Sequence, residues 1–129
     1  MKKAYLLIIL ILMIAGILAT WFMTASHYEK ERKRITEEIH ELAEKQAKED
    51  IKKGTPKYFV TGTVPVRYSQ NLEEEFKDIN LRCTGSACLT SEVEVEFGEK
   101  YNEIIEAWYK NEMGSSFEMK RKTAFEKQQ

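Results

Sequence analysis

Hydrophobic and polar positions divide this chain into three regimes. From Ala4 to Met23 the run AYLLIILILMIAGILATWFM carries no charge, and only Tyr5 and Thr20 are mildly polar. At 1.5 Å rise per residue such a helix is about 30 Å long, the thickness of a bilayer's hydrocarbon core. Lipid offers the backbone no hydrogen-bond partners, so a run of this kind is stable there as a helix. Tyr5 and Trp21 stand near its ends, where amphipathic rings prefer to lie.

From His27 to Lys53 nearly every residue is a good helix former, and neither Gly nor Pro interrupts. Glu41 with Lys45, and Glu44 with Lys48, stand at i,i+4 with the acid first, the favourable direction. Gly54 and Pro56 punctuate the end. This predicts a charged juxtamembrane helix continuing the first. Tyr28, Ile35, Ile39 and Leu42 fit two heptads of a seam, which then fails at Gln46 and Glu49. Ile35, Ile39 and Leu42 are therefore candidate contacts for a short coiled coil or a partner; the alternative is a solvated spacer.

The third regime has period two. Tyr58, Val60, Gly62, Val64, Val66 and Tyr68 alternate with Phe59, Thr61, Thr63, Pro65 and Arg67, an extended strand that Pro65 confines to an edge. Asn71 to Phe76 reads as a capped helical turn. Ile79, Leu81 and Cys83 read as a second strand, and Glu92 to Phe97 (EVEVEF) as a third with its valines inward. Glu99 to Met113 is then an amphipathic helix with Tyr101, Ile104, Ile105 and Trp108 on one stripe, stopped by Gly114. Trp108 belongs to the core in this reading, and Tyr109, at its edge, is free to contact a partner. The fold class expected is one transmembrane helix, a charged juxtamembrane helix, and a small α+β domain of about three antiparallel strands plus one packed helix. The boundaries are 1–25 for tail and anchor, 26–54 for a helical stalk, 55–114 for the domain, and 115–129 for a basic tail that is a strand, a short amphipathic helix or disordered.

Composition narrows the classes of function. The 129 residues carry 20 basic and 21 acidic side chains, a net charge of −1, so nucleic-acid binding has no electrostatic support. Outside the span there is room for one small domain. Lys2 and Lys3 precede the apolar run, as in a signal anchor, while Lys30, Arg32, Lys33 and Arg34 follow it. The latter either meet lipid head groups or form a solvated face. Counting Lys and Arg alone leans towards a cytoplasmic C-terminal part.

Cys83 and Cys88 pull the other way. The intervening TGSA suits a turn between strands, and a disulfide there implies an oxidising compartment. A catalytic pair would normally be C-x-x-C at a helix N-terminus, and zinc would need two further ligands; His27 and His40 are not tied to the cysteines. The expected placement is an N-terminus in the cytoplasm and an extracytoplasmic domain on a single-pass membrane protein.

No reaction centre is legible. Glu73 to Glu75 is a charge run, and Glu92, Glu94 and Glu96 read as a polar outer strand face. Ser86 has no base nearby, and no phosphate loop or G-x-S-x-G is present. No catalytic, cofactor-binding or metal-binding residue is assigned, and no small-molecule substrate is evident. The order of parts is that of single-pass subunits of envelope machines, a likeness of layout only. The function expected is a non-enzymatic, membrane-anchored protein binding an envelope partner or its own copy. The alternatives are a secreted binding module with a cleaved signal peptide and a thiol-redox membrane protein using Cys83 and Cys88.

Overall fold

A computed structural model describes residues 2–60, 62, 65–84 and 91–127, with side chains from residue 8 onward and at Tyr5. In chain order the elements are α1 (Lys2–Lys52), β1 (Lys57–Phe59), α2 (Val66–Glu75), a 3-10 turn (Lys77–Ile79), β2 (Arg82–Thr84), α3 (Glu92–Met113) and α4 (Phe117–Glu126). The chain divides into two units, one up to Ile35 and the other from Thr36 onward.

The first unit is helix. Its apolar side chains from Ile8 to Met23 remain 49 to 74% exposed, and no part of the unit covers them. Hydroxyls in this stretch are satisfied by their own backbone: Thr20 Oγ1 donates to the Ile17 carbonyl at 2.8 Å, and Thr24 Oγ1 to the Thr20 carbonyl at 2.7 Å.

The second unit corrects the expected α+β domain. Among the described residues it holds two strands of three residues each, and they are parallel rather than antiparallel, with Lys57 opposite Arg82 and Phe59 opposite Thr84. The physical reason lies between them. Gly62 adopts φ 88° and Pro65 stands at the N-cap of α2, so the strand described ends at Phe59 and the last predicted strand residues, Val66 to Tyr68, are helix. A helix between two strands makes a crossover, and a crossover delivers the second strand parallel to the first. Asn80, left-handed at φ 53°, turns the chain from the 3-10 segment into β2.

The third predicted strand is likewise overturned: Glu92 to Phe97 is the first part of α3. Ser91 accepts from the Glu94 N–H, and the Glu94 carboxylate accepts from the Ser91 N–H at 2.9 Å, a complete capping box. Two otherwise unpaired donors are satisfied at once, so the helix starts there despite the alternating side chains. Gly114 ends α3 at φ 61°. The stretch after it is the helix α4, capped by Ser116, which accepts from the Met119 N–H.

The core joins α1 to the rest. Ile39, Ala43, Ala47 and Asp50 are buried along one face of α1, so this half of the expected stalk is a core element. Small alanines at Ala43 and Ala47 let neighbours approach closely. Helix α1 closes on a Schellman motif: the Gly54 N–H donates to the Ile51 carbonyl and the Thr55 N–H to that of Asp50, with Gly54 at φ 67°. Leu72, Phe76, Leu81, Tyr101, Ile105, Tyr109 and Phe117 fill the centre. Phe117 stacks on Phe76 at 4.1 Å between centroids and on Tyr58 at 5.2 Å, with Tyr109 edge-on to both Phe76 and Phe117.

Candidate functional site

Three polar clusters in the second unit each tie separate elements together. The first is centred on Asp50, whose side chain is 5% exposed. It accepts from the Tyr101 hydroxyl at 2.9 Å and from Gln46 Nε2 at 2.9 Å, and Lys57 Nζ lies 3.5 Å away. A buried carboxylate is tolerable because these donors replace water. The Tyr101 hydroxyl in turn accepts from the Lys57 backbone N–H at 3.2 Å. Burial, opposed by that donor and reinforced by Asp50, pushes the Tyr101 phenol above the usual tyrosine range.

The second cluster places the Tyr58 hydroxyl between Glu106, to which it donates at 3.0 Å, and Arg121, from which it accepts at 3.2 Å. Burial pushes this phenol up to about 12, with Arg121 acting against it. It is therefore a neutral donor at physiological pH. In the third, Asp78 accepts from Lys120 at 3.1 Å and from the Tyr109 hydroxyl at 3.3 Å, while the Lys120 ammonium stands over the Phe76 and Tyr109 rings at 5.1 and 5.3 Å. Such contacts are attractive through the ring quadrupole. All three clusters pair a charge with groups on another element, and what they do chemically is hold α1, α3 and α4 in register.

Strand edges are closed by side chains. Asn102 of α3 accepts from the Phe59 N–H at 2.8 Å and donates to the Phe59 carbonyl at 2.7 Å, imitating a neighbouring strand. On β2 the Cys83 N–H donates to Glu73 at 2.8 Å.

The predicted site residues are not brought together. Cys83 is a half-buried free thiol in β2; Cys88 lies outside the described residues, and with it the predicted disulfide and its turn. Burial first, and the Glu73 carboxylate second, push the Cys83 thiol up to about 12. Ile35 and Leu42 are exposed at 43 and 60%, but Ile39 is 8% exposed and consumed by the core, which breaks the expected seam. Tyr109 corrects the expectation of a free edge residue: it is 1% exposed, and Trp108 is the half-buried neighbour. The buried stripe runs through Gly98, Tyr101, Ile105 and Tyr109; it shares Tyr101 and Ile105 with the one read in the sequence and leans to Tyr109 instead of Trp108.

The acidic runs disperse too. Glu73 serves Cys83 and lies 3.9 Å from Arg82, Glu74 pairs with Lys77, and Glu75 with Lys127. Glu94 caps its own helix, and Glu96 meets His40 Nε2 at 2.7 Å. Ser86 lies outside the described residues. Among the described residues no three His, Cys, Asp or Glu side chains are grouped to hold a metal ion. What the sequence reading missed was the set of cross-element polar partners, Asp50, Asn102, Glu106 and Arg121; the one available signal was a run of helix formers in which Asp50 falls four residues after Gln46 and on the alanine face.

The remaining surface with a chemical preference is the apolar part of α1. Among the described residues it is the one helix long and apolar enough to cross a membrane, near the N-terminus, with mean hydropathy 2.4 in its most apolar stretch. A helix of this kind suits a membrane span or a signal anchor. Comparison with known proteins finds no family model, no curated protein and no solved structure that matches the chain.

Proposed function

We propose that this chain is a single-pass membrane protein whose folded unit, beginning at Thr36, is an extracytoplasmic binding module in a cell-envelope assembly and performs no chemistry of its own. The observation that carries the reading is the exposed apolar surface of α1: large side chains on every side, none of them covered within its own unit, and hydroxyls satisfied by their own backbone. Burying that surface in lipid is its most favourable disposition. Support for binding rather than catalysis comes from the polar clusters, whose members face one another across elements. A thiol pushed up to about 12 is protonated at neutral pH, and a protonated thiol is a poor nucleophile, which weighs against the redox alternative. Partner contacts fall to exposed apolar side chains of the folded unit, Leu42, Val66 and Phe125 among them.

Two measurements on the full chain test the proposal. The exposed Glu112 is replaced by Cys in a background free of the native cysteines, and intact cells are treated with a membrane-impermeant maleimide. Labelling of a carbonate-resistant, full-length chain is expected. Labelling only after lysis reverses the orientation, and a soluble product beginning near His27 establishes the secreted alternative. A photo-crosslinking residue at Phe125 is expected to give one discrete heavier species; no adduct from either Phe125 or Leu42 would end the binding reading.

A further inference from the structure

Just beyond the span, apolar side chains keep to one line of α1. From Thr24 to Ile35 there are three of them, Ala25, Tyr28 and Ile35, at intervals of three and seven residues. Such intervals put residues on the seam of two paired helices, the a and d positions of a heptad. In that frame Ala25 and Arg32 are a, and Tyr28 and Ile35 are d. Tyr28 and Ile35 are 71 and 43% exposed. The frame runs back into the span through Trp21, Leu18, Ile14 and Ile11. Lipid accepts apolar side chains on any face, so the residues beyond the span carry the argument. The seam ends at Ile35, because Ile39, the next a position, is buried in the core. Charges sort by the same frame. Lys30, Lys33 and Arg34 share the face turned away from the seam, at f, b and c, while Glu29 and Glu31 flank it, at e and g. When two such helices pair in parallel, a side chain at a packs beside the g residue of its partner. Arg32 is exposed and, among the described residues, has no carboxylate partner, so in the pair it meets Glu31 of the second copy. Glu31 also pairs with Arg34 of its own helix, an exposed contact of the kind that holds weakly, and a carboxylate accepts from more than one donor. Neither acid is set against another acid: the g and e positions opposite Glu29 and Glu31 hold Thr24 and Thr36. The seam thus carries both the cation and the acid that answers it, which is what a two-fold pair of identical helices requires.

We infer that α1 pairs in parallel with α1 of a second copy along Ala25, Tyr28, Arg32 and Ile35, with Arg32 of each copy bonded to Glu31 of the other. About one and a half heptads would not hold two free helices together. Insertion in one membrane supplies the parallel direction and a high effective concentration. The inference rests on the membrane-spanning reading and deepens the binding reading by naming a partner, a second copy of this chain.

The test is disulfide trapping in membranes from cells that make the full chain. Ala25→Cys, Tyr28→Cys, Lys30→Cys and Lys33→Cys are made one at a time in a Cys83→Ser, Cys88→Ser background and oxidised with copper phenanthroline. A product of twice the chain mass is expected to form severalfold more from Ala25→Cys and Tyr28→Cys than from Lys30→Cys and Lys33→Cys. With Ala25→Cys as reporter, Glu31→Arg is expected to lower that yield severalfold, Arg32→Glu to do the same, and the two together to restore it. Even or absent yields at all four positions, a maximum at Lys30→Cys or Lys33→Cys, or a double exchange no better than either single one overturns the pairing. A discrete adduct of another mass at Ala25→Cys or Tyr28→Cys, in place of the doubled chain, makes the occupant a different protein and overturns the second copy. Carbonate extraction of the same membranes separates the two readings: a chain washed out overturns the span itself, whereas a retained chain that fails to pair leaves the span standing and removes only the pairing.

Discussion

Asn102 shows how much one side chain decides here. Its amide satisfies both backbone groups of Phe59, which among the described residues has no second strand on that side. Asn102→Ala leaves both unmet in a half-buried place and is expected to cost about 1–3 kcal/mol, read as a lower urea midpoint of the detergent-solubilised chain. Asn102→Asp should fall almost as far, because a carboxylate would face the Phe59 carbonyl. At Gly98 two effects compete. Alanine in a helix interior gains up to about 1 kcal/mol over glycine. A Cβ at this position, however, would stand 2.9 Å from Phe59 Cβ, an atom fixed to the strand. Overpacking costs about 1–3 kcal/mol, so Gly98→Ala is expected to lower the melting temperature; an increase would mean the strand yields freely. Cys83 and Tyr109 were legible as residues, but not as environments: the sequence places Trp108 and Tyr109 side by side, and a rotation of about 100° in the helix face decides which one is core.

At the scale of elements, local chemistry and hydrophobic period disagreed twice, and local chemistry prevailed. EVEVEF alternates like a strand, yet Ser91 and Glu94 form a capping box that commits the segment to helix. The signature S-x-x-E was present in the sequence; its weight was not, because a strand needs a neighbour and each strand here spans three residues. Ser91→Ala is expected to cost about 1 kcal/mol and to speed amide exchange from Glu92 to Val95, without altering Tyr101 or Ile105. Unchanged exchange would show the start of α3 to be held by packing alone. Gly54 and Gly114, in contrast, announce both helix ends correctly, because a left-handed closing residue is a local requirement that glycine meets without steric cost. The loss of the parallel pairing in the sequence reading has a plain cause: handedness and direction come from the crossover, a non-local property.

For the whole molecule, the apolar helix near the N-terminus was fully legible, since length and the absence of charge suffice. The folded unit was legible only as a small domain after Gly54, because its closure depends on pairs as distant in sequence as Asp50 with Tyr101 and Tyr58 with Arg121. Those pairs give the unit a defined response to alkali. The Cys83 thiol and the Tyr58 phenol are held protonated well above their ordinary values of 9.0 and 10.0. The folded chain therefore keeps protons that the unfolded chain releases, and stability declines as pH rises from about 9 through 12. Urea midpoints in detergent are expected to be level at neutral pH and to fall between pH 9 and 11, with Cys83→Ser moving the onset towards 10; a level midpoint up to pH 11 would contradict this. The sealed strand edge acquires a different meaning once the chain is held in a sheet of lipid. Tethering confines copies to two dimensions, where collisions between neighbours are far more frequent than in dilute solution, and an open strand would template the next molecule at each one. In that setting the Phe59 N–H and carbonyl, held by Asn102, and the Cys83 N–H, held by Glu73, are three backbone groups withheld from a neighbouring strand.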